Sequence, residues 1–401
     1  MSKSELTRRT FLGGMAAASL SAMGPAGAQA SGANEKIEVG VIGLGARGRM
    51  IAGMVRDHGG YHIKSMCDYF PDVVNKAGEE FDVPGSQRFS GLNGYRGVVD
   101  SGVDAVFLET PPYCFPDHVE AAVAAGLHVY MAKPVACDVP GCVRVLEAAE
   151  RAKAAEKVFL IDFQMRTEPL VIEGIERLKR GEIGPLGMLC SQYTDEAFPD
   201  PPLTNTIESR LQNLIWVNDT AIGGGYLVNA GIHAVDAALW IAGKMPVSAV
   251  GASRIARKDP HGDAHDVLSI TYEFDNGLFL NHFGKHLKNR YPWHCDALAF
   301  CLDGHLETTY DGRVRMLGNS AGWAGGQVEG LYQRGAITNI AAFCECVKNG
   351  DTGNGTVEPS INSALATILG REAAERKTRV TWQQMMAENK RREPDLTGLK
   401  L

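Results

Sequence analysis

Several features that mark other classes of protein are missing from this sequence. Outside the first residues there is no run rich in lysine and arginine, and the formal net charge is −7, so nucleic acid is not predicted as a partner. No pair of Cys-x-x-Cys motifs occurs among the nine scattered cysteines, and the histidines show no compact ligand spacing, so no metal site is predicted. Internal repeats and low-complexity segments are also absent.

The length of 401 residues predicts two or three domains, and a hydrophobic content of 45% is enough for a large core. Such a chain folds without disulfide or metal staples. The cysteines are therefore predicted to be mainly small buried hydrophobic residues, which leaves room for one or two disulfides.

The first thirty residues have the pattern of an export signal. The paired arginines Arg8-Arg9 precede a weakly apolar stretch over residues 13–26, which glycine and proline interrupt and which is too short to span a bilayer. Ala28-Gln29-Ala30 then supplies small residues at the positions that a signal peptidase reads. Residues 1–30 thus resemble a twin-arginine signal peptide, which implies the twin-arginine export machinery as a partner and a bacterial periplasmic location.

The pattern of hydrophobic residues changes once along the rest of the chain. Up to about residue 165, short apolar strands alternate with helical patterns, which predicts a doubly wound parallel sheet. Later segments read as strands separated by hairpin signals such as Asn276-Gly277 and Asp303-Gly304. They predict an open, mostly antiparallel sheet with helices on one face, and the Gly- and Asn-rich stretch 317–326 is predicted to be a loop.

The predicted fold class is therefore α/β, with an N-terminal Rossmann domain and a C-terminal α/β domain. The Rossmann domain is predicted over residues 37–157, after a short arm at 31–36. A substrate and oligomerisation domain is predicted over 158–385, followed by a tail at 386–401.

A glycine-rich turn points to a dinucleotide. Gly43, Gly45 and Gly48 form a G-x-G-x-x-G motif between the first strand and a helix, the context that this motif requires. The glycines permit a tight turn, close approach of the pyrophosphate and close helix packing. Asp68 ends the second strand, where a carboxylate holds the ribose hydroxyls, which favours NAD. NADP stays open, because Arg47 could meet a 2′-phosphate.

The order of residues after the next two strands resembles a known family. The third strand ends in Glu109-Thr110-Pro111-Pro112, and the next delivers Met131-Ala132-Lys133-Pro134. This order resembles the Rossmann half of the glucose–fructose oxidoreductase, inositol dehydrogenase and MocA (Gfo/Idh/MocA) family. The hallmark of that family is Glu-Lys-Pro, in which the lysine reaches the nicotinamide and the substrate. Lys133 and Pro134 match it, and Ala132 replaces the glutamate.

A second family hallmark lies in Gly223–Asp236, and the resemblance extends over about residues 37–380. His233 matches the acid/base histidine of the family, and Asn229 stands one helical turn earlier, where an aspartate is common. Because Asn229 carries no negative charge, His233 is expected to be a weaker base, or the chemistry to shift toward Lys133.

The resemblance implies an NAD(P)-dependent oxidoreductase that acts on CH–OH groups of a sugar, polyol or cyclitol. The predicted catalytic residues are Lys133, His233 and Asn229. The predicted cofactor-binding residues are Gly43, Gly45, Ala46, Arg47, Gly48, Asp68, Thr110, Pro111, His118, Lys133 and Pro134. The predicted substrate-binding residues are Gln164, Arg166, Trp216, Asp219 and Asp236. For Gln164 and Arg166 an ordinary interface ion pair is the alternative, and for the loop with Trp216 and Asp219 a solvated loop.

Export bears on the mechanism, because a dehydrogenase that releases its nucleotide in the periplasm would be stranded there. NAD(P) is therefore expected to stay bound through turnover. Net oxidation of a sugar and redox-neutral chemistry, as in nicotinamide-dependent glycosidases or epimerases, both fit. A non-catalytic sugar-binding protein is the third alternative, and the resemblance implies a homodimer or homotetramer.

Overall fold

The computed structural model describes residues 36–401, so the predicted signal peptide at 1–30 and nearly all of the predicted arm lie outside the described residues. Six strands form a first sheet in the order β3-β2-β1-β4-β5-β6, and all its neighbours are parallel. These strands are β1 Ile37–Ile42, β2 Tyr61–Asp68, β3 Arg88–Ser90, β4 Ala105–Leu108, β5 His128–Ala132 and β6 Phe159–Asp162. This order is that of a Rossmann domain.

Helices alternate with these strands and continue through the rest of the chain. They are α1 Ala46–His58, α2 Pro71–Glu80, α3 Gly94–Val99, α4 Phe115–Ala124, α5 Val139–Ala154, α6 Pro169–Lys179, α7 Thr220–Gly223, α8 Ile232–Ala242, α9 Leu331–Asn349, α10 Val357–Arg376 and α11 Trp382–Glu388. Within residues 36–401, no helix is long and apolar enough to cross a membrane.

The central strands of the first sheet are buried on both faces, as parallel strands covered by helices must be. All four residues of β4 are buried, and β1 is nearly so. Because β6 pairs with β5, the first sheet extends to Asp162, beyond the boundary predicted at residue 157.

A second sheet of nine strands follows, in the order β14-β13-β12-β11-β7-β10-β9-β8-β15. Its strands are β7 Leu186–Asp195, β8 Ser248–Arg254, β9 Val267–Glu273, β10 Phe279–His286, β11 His294–Cys301, β12 Gly304–Thr309, β13 Arg313–Gly318, β14 Trp323–Gln327 and β15 Val380–Thr381. Only β7 and β10 pair in parallel, so the predicted, mostly antiparallel sheet is confirmed.

The prediction of a loop over residues 317–326 is wrong. Gly318 ends β13, and β14 returns antiparallel to it from Trp323. The strands of this hairpin were not predicted, because its glycines carry no side chains that could show the alternation of apolar and polar residues typical of a strand. A Cβ on Gly325 would lie 1.8 Å from the backbone oxygen of Val314, so the close approach of the two strands requires glycine there.

Helix α9 brings the late part of the chain onto the Rossmann sheet. Phe343 of α9 packs edge-on against Phe107 and Tyr130 in the core of that sheet. This packing fixes the beginning of α9, with Tyr332, near the carboxyl edge of the sheet.

All nine cysteines fall within residues 36–401, and each of their thiols is free there.

Candidate active site

The glycine-rich turn has the geometry that a pyrophosphate site requires. Gly43 has a φ of +93°, and a Cβ there would lie 2.6 Å from the backbone of Glu109. A Cβ on Gly48 would lie 1.8 Å from the oxygen of Gly43. Apart from its chain neighbours, no described residue lies within 4 Å of the position that a Cβ on Gly45 would take, and Gly45 is the N-cap of α1. The N-terminal N–H groups of α1 therefore border free space, as anion binding demands.

Asp68 lies at the carboxyl end of β2, beside this turn. Its Oδ2 accepts a hydrogen bond from the Leu44 N–H at 2.8 Å, and its Oδ1 accepts one from the Phe70 N–H at 3.0 Å. Burial raises the pKa of Asp68 above its usual value. The carboxylate is thus held at the edge where the ribose of a dinucleotide binds in this fold.

The remaining predicted cofactor residues border the same edge. Ala46 is exposed at the start of α1. Thr110 and Pro111 follow β4, and the Thr110 hydroxyl lies 3.4 Å from Nδ1 of His118. Burial lowers the pKa of His118 to about 4, so its ring is neutral at pH 7. Pro134 follows Lys133 through a cis peptide bond.

Lys133 follows β5 and reaches across to the second half of the chain. Its Nζ donates a hydrogen bond to the backbone oxygen of Asn229 at 2.7 Å. Burial, helped by the charge of Arg47, lowers the pKa of Lys133 to about 7. An amine in this state is neutral in about half of the molecules at pH 7. It can then serve as a general base.

A π-helical turn at Leu227–Gly231 precedes α8 and supplies the oxygen that binds Lys133. Asn229 therefore contributes its backbone carbonyl, a role that the sequence did not indicate. His233 lies in the next turn, is 9% exposed, and its ring centroid is 4.5 Å from that of Tyr310. Burial and the neighbouring Lys133 hold its pKa well below the usual value. Its buried Nδ1 has no hydrogen-bond partner within residues 36–401.

A buried charged cluster lies beside Lys133 and centres on Arg47. Arg47 Nε is 2.8 Å from Glu109 Oε2, and the same guanidinium binds Asp162 and donates to the Tyr332 hydroxyl at 2.5 Å. Asn339 of α9 donates to the other oxygen of Asp162 at 2.6 Å. Both acids have fully buried side chains. Burial raises the pKa of Glu109 to about 7.

Strand register explains why the cluster forms at this place. Ala132 of β5 pairs with Asp162 of β6, and Leu108 of β4 pairs with Met131, so Glu109 follows alongside Ala132. Ala132 is thus flanked by the two acids, and Arg47 is bound to both. Sequence reasoning assigned Arg47 to the cofactor and missed both acids. Their position at the ends of parallel strands was the available signal.

Gln164, Arg166 and Asp236 are each hydrogen-bonded to other side chains of the protein. Arg166 binds Asp236 through both carboxylate oxygens at 2.8 to 3.2 Å, and Ser363 also donates to Asp236. Arg166 and Asp236 thus form an ion pair, and a contact of Gln164, Arg166 or Asp236 with substrate stays a prediction. Gln164 Oε1 accepts a hydrogen bond from the Tyr310 hydroxyl at 2.5 Å.

Trp216 and Asp219 both contact other residues of the protein. Asp219 Oδ1 accepts hydrogen bonds from the N–H groups of Ala221 and Ile222 at 2.9 and 3.3 Å, and so caps α7. Trp216 packs against a small core cluster that contains Tyr226. A contact of either residue with substrate stays a prediction.

A cavity of about 340 Å³ opens in front of His233. Its side-chain lining is mainly aromatic and is formed by Tyr193, His233, Trp293, Tyr310, Asp311, Leu331, Tyr332 and Gln333. The aromatic residues come from four separate parts of the chain, so no local motif could have shown that they meet. Aromatic rings and a few polar groups are typical of small-molecule sites.

Family models match both halves of the chain. Residues 37–159 match a model described as an oxidoreductase family with an NAD-binding Rossmann fold. Residues 175–287 match the GFO/IDH/MocA C-terminal domain, and the two matches together cover more than half of the chain. The chain belongs to the Gfo/Idh/MocA family. Its first domain is an NAD-binding Rossmann domain of an oxidoreductase family.

Curated relatives of this family member are distant. It is 26% identical over 284 residues to inositol 2-dehydrogenase 2 of Saccharopolyspora erythraea, which covers 69% of this chain and 76% of the relative. It is 22% identical over 249 residues to the inositol 2-dehydrogenase of Corynebacterium glutamicum, with coverage of 62% and 66%. It is 26% identical over 243 residues to the 2,7-anhydro-N-acetylneuraminate hydratase of Escherichia coli K12, with coverage of 60% and 59%. The last two alignments span less than two thirds of the relatives' lengths.

Solved structures share the fold over most of the chain. Aldose-aldose oxidoreductase from Caulobacter crescentus gives a TM-score of 0.70 at 21% identity and covers 86% of this chain and 100% of its own. A levoglucosan dehydrogenase in complex with NADH gives 0.71 at 18% identity, with coverage of 86% and 99%. These likenesses show the two-domain fold.

Proposed function

We propose that this protein is an exported oxidoreductase that oxidises a CH–OH group of a sugar, polyol or cyclitol and keeps NAD bound through turnover. One observation carries the proposal. Lys133, an amine with a lowered pKa, donates a hydrogen bond to the backbone oxygen of Asn229, one helical turn before His233. His233 lines an aromatic cavity near the carboxyl edge of the NAD-binding sheet.

Each side chain near the reacting carbon has a separate role. Bound nicotinamide supplies the hydride acceptor. Lys133 accepts the proton of the substrate hydroxyl, because the Asn229 carbonyl orients its Nζ while the nitrogen lone pair stays free. His233 stays neutral and binds the same hydroxyl or its neighbour, since its lowered pKa makes it a weak base. Tyr310 and Trp293 contact the apolar face of the ring and exclude water.

The contacts of Arg47 support NAD over NADP. Its guanidinium binds Glu109, Asp162 and Tyr332, so it is not free to meet a 2′-phosphate beside Asp68. A 2′-phosphate would instead lie beside the Asp68 carboxylate, and the two negative charges would repel each other.

The substrate class rests on the cavity and on the relatives. Inositol dehydrogenases are among the curated relatives, and aromatic walls with a few polar groups suit a polyhydroxylated ring. The relative named a hydratase keeps redox-neutral chemistry as a second candidate. For that candidate, a sugar would change structure without net reduction of the nucleotide.

The test is to mix the NAD-loaded protein with myo-inositol, levoglucosan and D-glucose in turn and to follow absorbance near 340 nm. A net oxidoreductase gives a stoichiometric rise with one of these sugars, and the Lys133→Met variant gives none. A sugar converted in NMR spectra with only a faint absorbance change would favour the redox-neutral candidate. Loaded protein that converts none of a broad sugar panel would overturn both.

Export and assembly are further parts of the proposal. If Arg8-Arg9 belongs to a twin-arginine signal, replacing the pair with lysines should keep the protein in the cytoplasmic fraction.

For assembly, the outward face of the second sheet is the proposed homo-oligomer interface. It exposes the large apolar residues Val250, Phe279, Phe283, Phe300 and Leu317.

A further inference from the structure

The segment after α11 crosses from the second half of the chain to the Rossmann domain. Residues 392–401, here called the strap, contain no helix or strand in the structure. They nevertheless bind folded elements at both ends, and Leu399 is only 9% exposed. A segment without secondary structure needs such contacts to hold one path.

Arg392 pins the first end of the strap. Its guanidinium donates to Glu372 at 2.7 Å and to Glu375 at 2.6 Å, both on α10, and to the Thr220 hydroxyl at 2.7 Å. Its backbone N–H donates to Asp138, the N-cap of α5, at 2.7 Å. The side chain is 12% exposed, so these charge-assisted bonds are largely shielded from water.

The other end of the strap meets two loops of the Rossmann domain. The Lys400 N–H donates to the Tyr69 hydroxyl at 3.1 Å, and the Lys400 carbonyl accepts from the Leu92 N–H at 2.9 Å. The Tyr69 hydroxyl donates in turn to Glu208 at 2.8 Å, and Lys400 Nζ lies 3.7 Å from the same carboxylate. The strap is thus hydrogen-bonded through its backbone to both loops.

These two loops border the adenosine end of the nucleotide site. Tyr69 directly follows Asp68 at the end of β2, and Leu92 follows β3, which pairs with the end of β2. In a Rossmann domain the adenosine lies outside the carboxyl ends of these strands. The strap therefore ties together the two loops between which an adenosine has to leave.

We propose that the strap retains the dinucleotide by closing the adenosine end of its site, an inference that rests on the proposed function above. A ligand leaves slowly when its exit requires a fixed segment to detach first. The strap contacts would then act mainly on the dissociation rate, as most changes at one interface do.

The test measures release of NADH from the full-length protein, with NADH fluorescence as the signal and excess NAD as the trap. Two variants loosen the strap. Arg392→Ala removes the side-chain bonds to Glu372, Glu375 and Thr220, and Tyr69→Phe keeps the ring but removes the hydroxyl that binds Lys400. Arg376→Ala is the matched control, because Arg376 binds the same Glu372 but does not contact the strap. Both strap variants should release NADH at least about tenfold faster than wild type and the control.

A second measurement does not depend on release. Amide hydrogen exchange at Leu92 and Lys400 should slow when NADH binds to the wild type, and less so in Tyr69→Phe. Equal release rates in wild type and in both strap variants would overturn the strap proposal while leaving the proposed function intact. A wild-type protein that binds no NADH would overturn the proposed function itself, and the strap proposal with it.

Discussion

Lys133 gives the sharpest prediction for catalysis. With a pKa of about 7, half of the amine is neutral at pH 7, whereas an amine at its ordinary 10.5 is neutral in about one molecule in 3,000. The rate of hydride transfer should therefore rise with pH along a limb centred near pH 7 and level off above about pH 8. Lys133→Arg keeps a cation that cannot give up its proton, and should lower the rate by about 10²- to 10⁴-fold.

The assay is single-turnover reduction of bound NAD near 340 nm by a reactive sugar, between pH 5.5 and 9.5. Lys348→Arg, on the exposed end of α9, is the control and should keep the wild-type profile. A rate that is flat down to pH 5.5 would refute Lys133 as the base, and so would full activity of Lys133→Arg.

Other predictions concern the charged cluster and the outer face of the second sheet. Arg47→Met leaves Glu109 and Asp162 buried without their cation, so it should lower the free energy of unfolding in urea by about 3 to 5 kcal/mol. Adding Glu109→Gln and Asp162→Asn should restore most of the loss, and no recovery would contradict the ion-pair explanation. The pKa of Glu109 is raised in the fold, so its protonated form favours folding. That contribution is complete below about pH 4.5 and is lost as pH rises through about 7, and Glu109→Gln should remove this part of the pH dependence of stability. Phe283→Lys should convert an oligomer to monomer in light scattering, and an unchanged mass would exclude this face as the interface.

The nucleotide-binding half could be predicted from sequence because its signals are local. The strand, the glycine turn and the helix around Gly43–Gly48 lie in one short segment, and Asp68 ends the next strand. Gly43 and Gly48 are required by close backbone contacts in the structure, such as the approach of Gly48 to Gly43, whereas Gly45 borders free space.

The rest of the site could not be read in this way, because it is assembled from distant parts of the chain. Tyr193, Trp293, Tyr310 and Tyr332 meet only after the second sheet and α9 have packed. Ala132 was noted as a departure from the family, yet only strand register shows that it lies between two acids that share Arg47. Asn229 acts through its backbone, which no side-chain pattern can indicate.

The central claim is that NAD serves this protein as a bound cofactor. Its most direct test is to purify the protein, remove free nucleotide, denature it and identify the released molecules by mass spectrometry. The account predicts about one NAD(H) per chain. A protein that carries no nucleotide and fails to bind NAD or NADP at millimolar concentration would contradict it.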